Sequence, residues 1–167
     1  SVMLFSRVPM KQITRIWLDQ DSRTAVLLIR LLARHHWGIH PEWVDQAAIR
    51  AGSAAESLLA IGDKAFALRN EYPYHWDLAT EWKQMTGLPF VFAVWVSATT
   101  APAPALKKLT EALMYGAQHI DEAILESTRS FPAGFDLHHY LTHDIRFRLQ
   151  DDFAAGLATY LKMIREL

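Results

Sequence analysis

A layered α/β sheet flanked by helices is the fold class that this sequence predicts, on three observations. Short apolar runs at 2–5, 13–18, 57–61 and 88–96 have strand length and β-favouring bulk. Stretches between them carry apolar residues at helical spacing. The runs at 57–61 and 88–96 are apolar on both alternating faces, which marks strands covered on both sides and favours parallel pairing. The order strand, strand, helix, strand, helix, strand then argues for a sheet with helices packed against it.

Taken in order, 2–5 is a short buried strand that ends before Pro9, because proline pushes Val8 towards extended geometry. Ile13, Ile16, Trp17 and Leu18 supply the second strand. Asp21 or Ser22 is the expected N-cap of a helix with Ala25, Leu28, Ile29 and Leu32 on one face. Gly38 is its expected left-handed cap. A short helix is predicted to begin at 41–45, with Pro41 in the first turn, and to be broken at Gly52 and Ser53. After the third strand, Gly62 and Asp63 turn the chain into a helix over 64–68. Tyr72, Pro73 and Tyr74 read as a loop. Asp77 caps a helix over 78–85 that stops at Thr86 and Gly87. The run 88–96 is the longest strand, central to the sheet, with Pro89 tolerated only at its start.

An Ala/Pro-rich linker over 99–104 leads to a long helix, 105–127, with Leu106, Leu109, Leu113, Ile120 and Ile124 on one stripe. Pro132, Ala133 and Gly134 form a turn, and 136–141 a short helix. Phe153, Leu157, Leu161 and Ile164 line a closing amphipathic helix. The chain reads as one α/β unit over 1–167, with the strands in 1–97 and mostly helices in 98–167.

Composition narrows the function. The 167 residues are 51% hydrophobic and 21% charged, the balance of an ordinary globular chain. A formal net charge of −1, with no basic stripe, argues against nucleic acid as partner. The absence of cysteine excludes disulfides, thiolate zinc sites and a cysteine nucleophile. No apolar run approaches the roughly 20 residues of a membrane span, so no membrane partner is expected. The chain opens on Ser1 and runs straight into a strand-like segment, which reads as processing, truncation or excision.

Ligands of layered α/β sheets sit at the carboxyl ends of strands. Three polar elbows follow three strands: Ser6, then 19–24, then Gly62 with Asp63. If those strands are parallel neighbours, the elbows share a rim. At the second elbow, Ser22, Thr24 and the first helix amides can hold a carboxylate or phosphate, with Arg23 nearby. The same residues also serve plain helix capping, and Asp19 and Asp21 oppose a strongly positive pocket. Gly62 permits close backbone approach, and Asp63 can accept from a substrate hydroxyl or simply stabilise the next helix. His139 and His143 are spaced to share a helix face, but Tyr140 breaks the HExxH pattern and no metal site is assigned. His35, His36 and His40 suit a helix end. No nucleophile elbow, Walker loop or dinucleotide fingerprint occurs. The six tryptophans read as core or lobe-contact residues.

Three segments together resemble one family. They are Leu18-Asp19-Gln20-Asp21-Ser22-Arg23-Thr24-Ala25, then Leu59-Ala60-Ile61-Gly62-Asp63-Lys64-Ala65, then Asp77-Leu78-Ala79-Thr80-Glu81-Trp82 running into Thr86-Gly87-Leu88-Pro89-Phe90-Val91-Phe92-Ala93-Val94-Trp95. In order and spacing they are similar to the chorismate dehydratases of menaquinone biosynthesis, in the futalosine pathway. Tyr140-Leu141 and Gly156-Leu157 are similar too. The resemblance implies a type II periplasmic-binding-protein-like fold, two α/β lobes around a cleft, working as a cytoplasmic lyase without a cofactor. The implied reaction dehydrates chorismate, a small anionic substrate, to 3-[(1-carboxyvinyl)oxy]benzoate.

Ser22 and Thr24 carry over as carboxylate contacts beside Arg23. Gly62 and Asp63 fall on the cleft rim, and Ser6 near it. The catalytic base is unassigned, and a homo-oligomer is left open. Family members carry a long N-terminal segment ahead of the strand at 2–5. The chain is therefore expected to be a carboxy-terminal part with an incomplete first lobe, and weak or inactive alone. Residues 1–97 would hold the second lobe and the interlobe strands 2–5 and 90–96, and 98–167 the return to the first lobe. Two alternatives stand beside it: a non-catalytic small-anion-binding module of the same fold, and the sibling naphthoate-forming enzyme of the pathway.

Overall fold

Apolar strands, two of them buried along nearly their whole length, build a mixed five-stranded sheet. The structure, a computed structural model, describes residues 2–19, 21–45, 55–128, 131, 134–149 and 151–167. The strands are β1 (Val2–Ser6), β2 (Arg15–Leu18), β3 (Glu42–Asp45), β4 (Ser57–Ile61) and β5 (Tyr74–Asp77), in the order β3-β2-β4-β1-β5. β2 runs parallel to β3, with Arg15 opposite Glu42, and parallel to β4, with Trp17 opposite Leu58. β1 runs antiparallel to β4 and to β5, with Ser6 opposite Ser57 and Val2 opposite Ile61. The chain is thus α/β as predicted, with both strand directions in the sheet.

Because side chains alternate across a sheet, each strand feeds two cores. Val2, Leu4, Ile16, Leu18 and Leu59 join the core that contains helix α1 (Arg23–Leu32) and helix α3 (Leu78–Thr86). Met3, Phe5, Leu58 and Ala60 join a smaller core with Ala65 of helix α2 (Asp63–Leu68) and with Tyr72. The prediction that β4 is covered on both faces holds. On α1, the predicted face of Ala25, Leu28, Ile29 and Leu32 is buried. A π-helical turn, Ala33–Trp37, follows α1, and Gly38 at φ 62 ends it. Asp77 caps α3 by accepting from the Thr80 amide at 2.9 Å, and Gly87 at φ 76 closes the helix.

Four expectations are corrected. Residues 41–45 are not a helix: Glu42–Asp45 is the edge strand β3, where Trp43 and Val44 suit a pleated surface. Pro41 sits just ahead of it, where a missing donor costs nothing. The Glu42 amide donates to Thr14 at 2.8 Å, and its carboxylate pairs with Arg15 at 2.7 Å. Tyr74 is not loop but the first residue of β5. The run 88–96 forms no strand in the described structure. Phe90 and Val91 are buried, whereas Trp95 and Val96 are 74% and 84% exposed. Bulk on both faces identified burial at its start but could not supply a neighbouring strand. The predicted helix 105–127 is two helices, α4 (Ala103–Gln118) and α5 (Ile120–Glu126), divided at His119, whose φ −118 and ψ 40 are non-helical. Gly116 weakens the helix just ahead of that break. The predicted breaks and turn at Gly52, Ser53, Pro132 and Ala133 lie outside the described residues.

The chain divides into two compact units, Ser1–Phe92 with Gln150–Leu167, and Ala93–Leu149. The second unit holds α4, α5, a short helix α6 (Leu137–His139) capped by Asp136, and a π-helical turn, Tyr140–Asp144. The last helix, α7 (Asp151–Met163), belongs to the first unit. Its inward face is centred on Gly156 and Tyr160, and Leu161 is exposed rather than part of the stripe. Tyr160, Phe90 and the fully buried Trp82 meet edge to face, with centroids 5.0 to 6.1 Å apart. Such pairs add to burial because ring edges and faces carry opposite charge. Among the described residues, no helix is long and apolar enough to cross a membrane.

Two stability predictions follow. A Cβ at Gly156 would lie 2.1 Å from the Pro89 carbonyl oxygen, so Gly156→Ala must shift backbone. It should lower unfolding free energy by about 3 kcal/mol in denaturant titration. Asp77→Ala removes the α3 cap and should cost about 1 kcal/mol by the same measurement, with an unchanged m-value.

Candidate functional site

Parallel pairing of β2 with β4 brings the carboxyl ends of these strands to one rim. The elbow at 19–24 and the elbow at Gly62 and Asp63 therefore meet. Lys64 bridges them, donating to Asp19 Oδ2 at 3.1 Å and to Asp21 Oδ2 at 2.8 Å. Asp19 is 4% exposed, and its other oxygen accepts the Asp21 amide at 3.1 Å. That side-chain-to-backbone bond sets the tight turn out of β2. Lys64 is exposed, so its pairing with Asp21 adds little to stability. Its contact with buried Asp19 matters more, because an uncompensated buried carboxylate is costly.

Ser22 has φ −135 and ψ 108, and its hydroxyl accepts from the Ala25 amide at 3.2 Å. It is the N-cap of α1, chosen from the two residues that the sequence left open. The capping role is therefore realised. The amides of Arg23 and Thr24 lie in the first turn, where no intrahelical acceptor exists, at the positive end of the helix dipole. Gly62, at φ 65 and ψ −136, adopts a backbone that side chains disfavour, and a Cβ there would meet nothing within 4 Å. Asp63 opens α2. The rim thus combines first-turn amides, an exposed Arg23, an open glycine and an aspartate–lysine–aspartate chain.

Electrostatics couple these groups. The Lys64 ammonium holds the Asp21 carboxyl below its usual range, chiefly through their hydrogen bond. The two aspartates in turn push Lys64 up. Tyr160 of α7 donates to the Thr24 carbonyl at 3.1 Å and so ties the last helix to the first turn of α1. Burial pushes its phenol up to about 12.

Ser6 stands apart. Because β1 runs antiparallel to β4, Ser6 pairs with Ser57 at the amino end of β4, opposite the end that leads to Gly62. It is fully buried, and its hydroxyl lies 2.9 Å from Ser57 Oγ and donates to the Val8 carbonyl at 2.7 Å. Its hydroxyl is engaged within the sheet, and the premise of three parallel elbows fails for it. The Lys64 bonds to Asp19 and to Asp21, and the Tyr160 contact, were not read from the sequence. A lysine directly after the Gly62–Asp63 turn was the available signal for the first two.

The histidines divide between units. His36 Nε2 is 3.0 Å from Glu81 Oε2, which also accepts from the Trp37 indole at 2.7 Å. His139 and His143 stack at 4.5 Å. Among the described residues no three histidine or carboxylate side chains converge as metal ligands.

Comparison with known proteins bears on the whole chain. Residues 1–166 match the family described as menaquinone biosynthesis. Chorismate dehydratase of Thermus thermophilus is 31% identical over 185 residues, covering 98% of this chain and 68% of that protein. The family match over residues 1–166, together with the 31% identity to this relative, places the chain in the chorismate dehydratase family of menaquinone biosynthesis.

Proposed function

We propose that the protein is a cytoplasmic hydro-lyase that dehydrates chorismate to 3-[(1-carboxyvinyl)oxy]benzoate, without a cofactor, within a type II periplasmic-binding-protein-like fold. Family membership supports the substrate class, through the relative named chorismate dehydratase. The observation that carries the site is the rim shared by the α1 N-terminus and the Gly62 elbow. A dicarboxylate fits such a rim, since first-turn amides and hydroxyls orient an anion without a dedicated pair of cations. Ser22 and Thr24 hold one substrate carboxylate, and Arg23 supplies charge beside it. Gly62 lets the ligand approach backbone, and Asp63 accepts from the ring hydroxyl.

The reaction loses one hydroxyl and one ring hydrogen as water, leaving an aromatic ring. It needs proton transfer and orientation, with no change of oxidation state to supply from outside.

Chorismate consumption by the purified protein, with the product followed by mass spectrometry, tests the assignment. Stoichiometric appearance of the aromatic ether is expected. Binding of chorismate without turnover would overturn it in favour of an anion-binding module. Thr24→Val should lower kcat/KM about tenfold or more, the scale of a lost hydrogen bond to a charged group, with little change in stability. Ser22→Ala should lower kcat/KM and also cost about 1 kcal/mol of stability, because it removes the cap.

Lys64→Met frees Asp19 and Asp21 beside the anion rim and should raise KM. The sign of its pH effect follows from the pairing. Asp21 is lowered and Lys64 raised, so the bridge persists through neutral pH. It is lost as pH falls through the depressed Asp21 value or rises through the elevated Lys64 value. Carboxyl NMR titration of Lys64→Met should move Asp21 up towards the ordinary carboxylate range.

A further inference from the structure

A second cationic site lies away from the rim, on the flank of α1 that faces the edge strand β3. A groove of about 480 Å³ there is lined by Leu27, Arg30, Arg34, Ile39, His40 and Trp43, among others. That volume falls in the range of small-molecule sites. No acidic side chain is among its lining residues. Glu42, next to Trp43, is already paired with Arg15 at 2.7 Å.

Arg30 is the informative residue. Its guanidinium carbon stands 5.5 Å from the Trp43 ring centroid. Its Nε is buried and has no hydrogen-bond partner among the described residues. A buried N–H on a cation left unpaired is unfavourable, and a bound acceptor would relieve it. Arg34 Nη1 already donates to a carbonyl oxygen, that of Glu166, at 3.2 Å.

Basic residues near a helix C-terminus also offset the helix dipole. That accounts for the exposed Arg34 and His40. It leaves unexplained why Arg30 is drawn over Trp43 with its Nε buried and unpaired.

We propose that this groove binds a small aromatic carboxylate. The planar guanidinium of Arg30 presents a fork to the carboxylate, with Arg34 adding positive charge and His40 a ring N–H donor. Leu27, Ile39 and Trp43 form the apolar wall against which the ring lies. Arg30 is seven residues beyond Arg23, about 10 Å along the helix axis, so the groove is separate from the rim and the two sites can be told apart.

Benzoate is the probe, titrated into isotope-labelled protein. Saturable shifts are expected at the Trp43 indole N–H and the Arg30 Nε–H. Arg30→Met keeps the aliphatic stem and should weaken binding about tenfold, as for a lost charge-assisted bond. His40→Ala, at an exposed position, should weaken it about twofold to threefold by removing a neighbouring hydrogen-bond donor. Ser22→Ala should leave the benzoate affinity unchanged. Absence of shifts at Trp43 and Arg30, or unchanged affinity in both groove variants, would overturn the site. Acetate binding as tightly as benzoate would overturn its aromatic selectivity.

Discussion

The direction of β4 is the constraint from which the site follows. It pairs parallel with β2 on one side and antiparallel with β1 on the other. The parallel side brings two strand ends, each followed by a helix, to one rim. The antiparallel side sends Ser6 to the opposite end of the sheet. Lys64 can reach Asp19 and Asp21 only because of that parallel register. A one-residue slip would turn Leu58 and Ala60 to the other face, exchanging the two cores that β4 feeds.

A second closure links the far end of the chain to the same rim. α7 returns to the first unit, and Gly156 lets its backbone approach Pro89 where no Cβ fits. That approach seats Tyr160 between Trp82 and Phe90, with its hydroxyl on the Thr24 carbonyl. The first turn of α1 is thereby held from both sides of the sequence, by Ser22 through its cap and by Tyr160 through its phenol. Catalytic and binding groups need supporting contacts of this kind to keep their geometry.

Much of this was legible where local chemistry decides the outcome. Asp77 and Ser22 are caps, and Gly38 and Gly87 are left-handed stops. The apolar face of α1 was readable because a 3.6 period needs no knowledge of the neighbour that covers it. What failed depended on pairing. Residues 41–45 resemble a proline-led first turn, yet the free edge of β2 recruits them as a strand. The run 88–96 has the bulk of a central strand, yet only Phe90 and Val91 find burial in the helix layer. Direction of pairing is equally invisible in composition, and it separated Ser6 from the two elbows that do converge.

Under the proposed function, the rim would hold a dicarboxylate without a strongly positive pocket. Asp19 and Asp21 would repel an anion if they stood alone. Lys64 bridges both and offsets one of their two charges, and the helix amides remain as the directed donors. Fixed dipoles of this kind need little reorganisation when charge arrives, unlike flexible cationic side chains on an exposed surface. The groove around Arg30 differs, with two arginines set against an apolar wall. On the two proposals, one helix presents two different surroundings to an anion: bridged carboxylates with directed amides at its start, and arginines with an aromatic wall along the flank beyond.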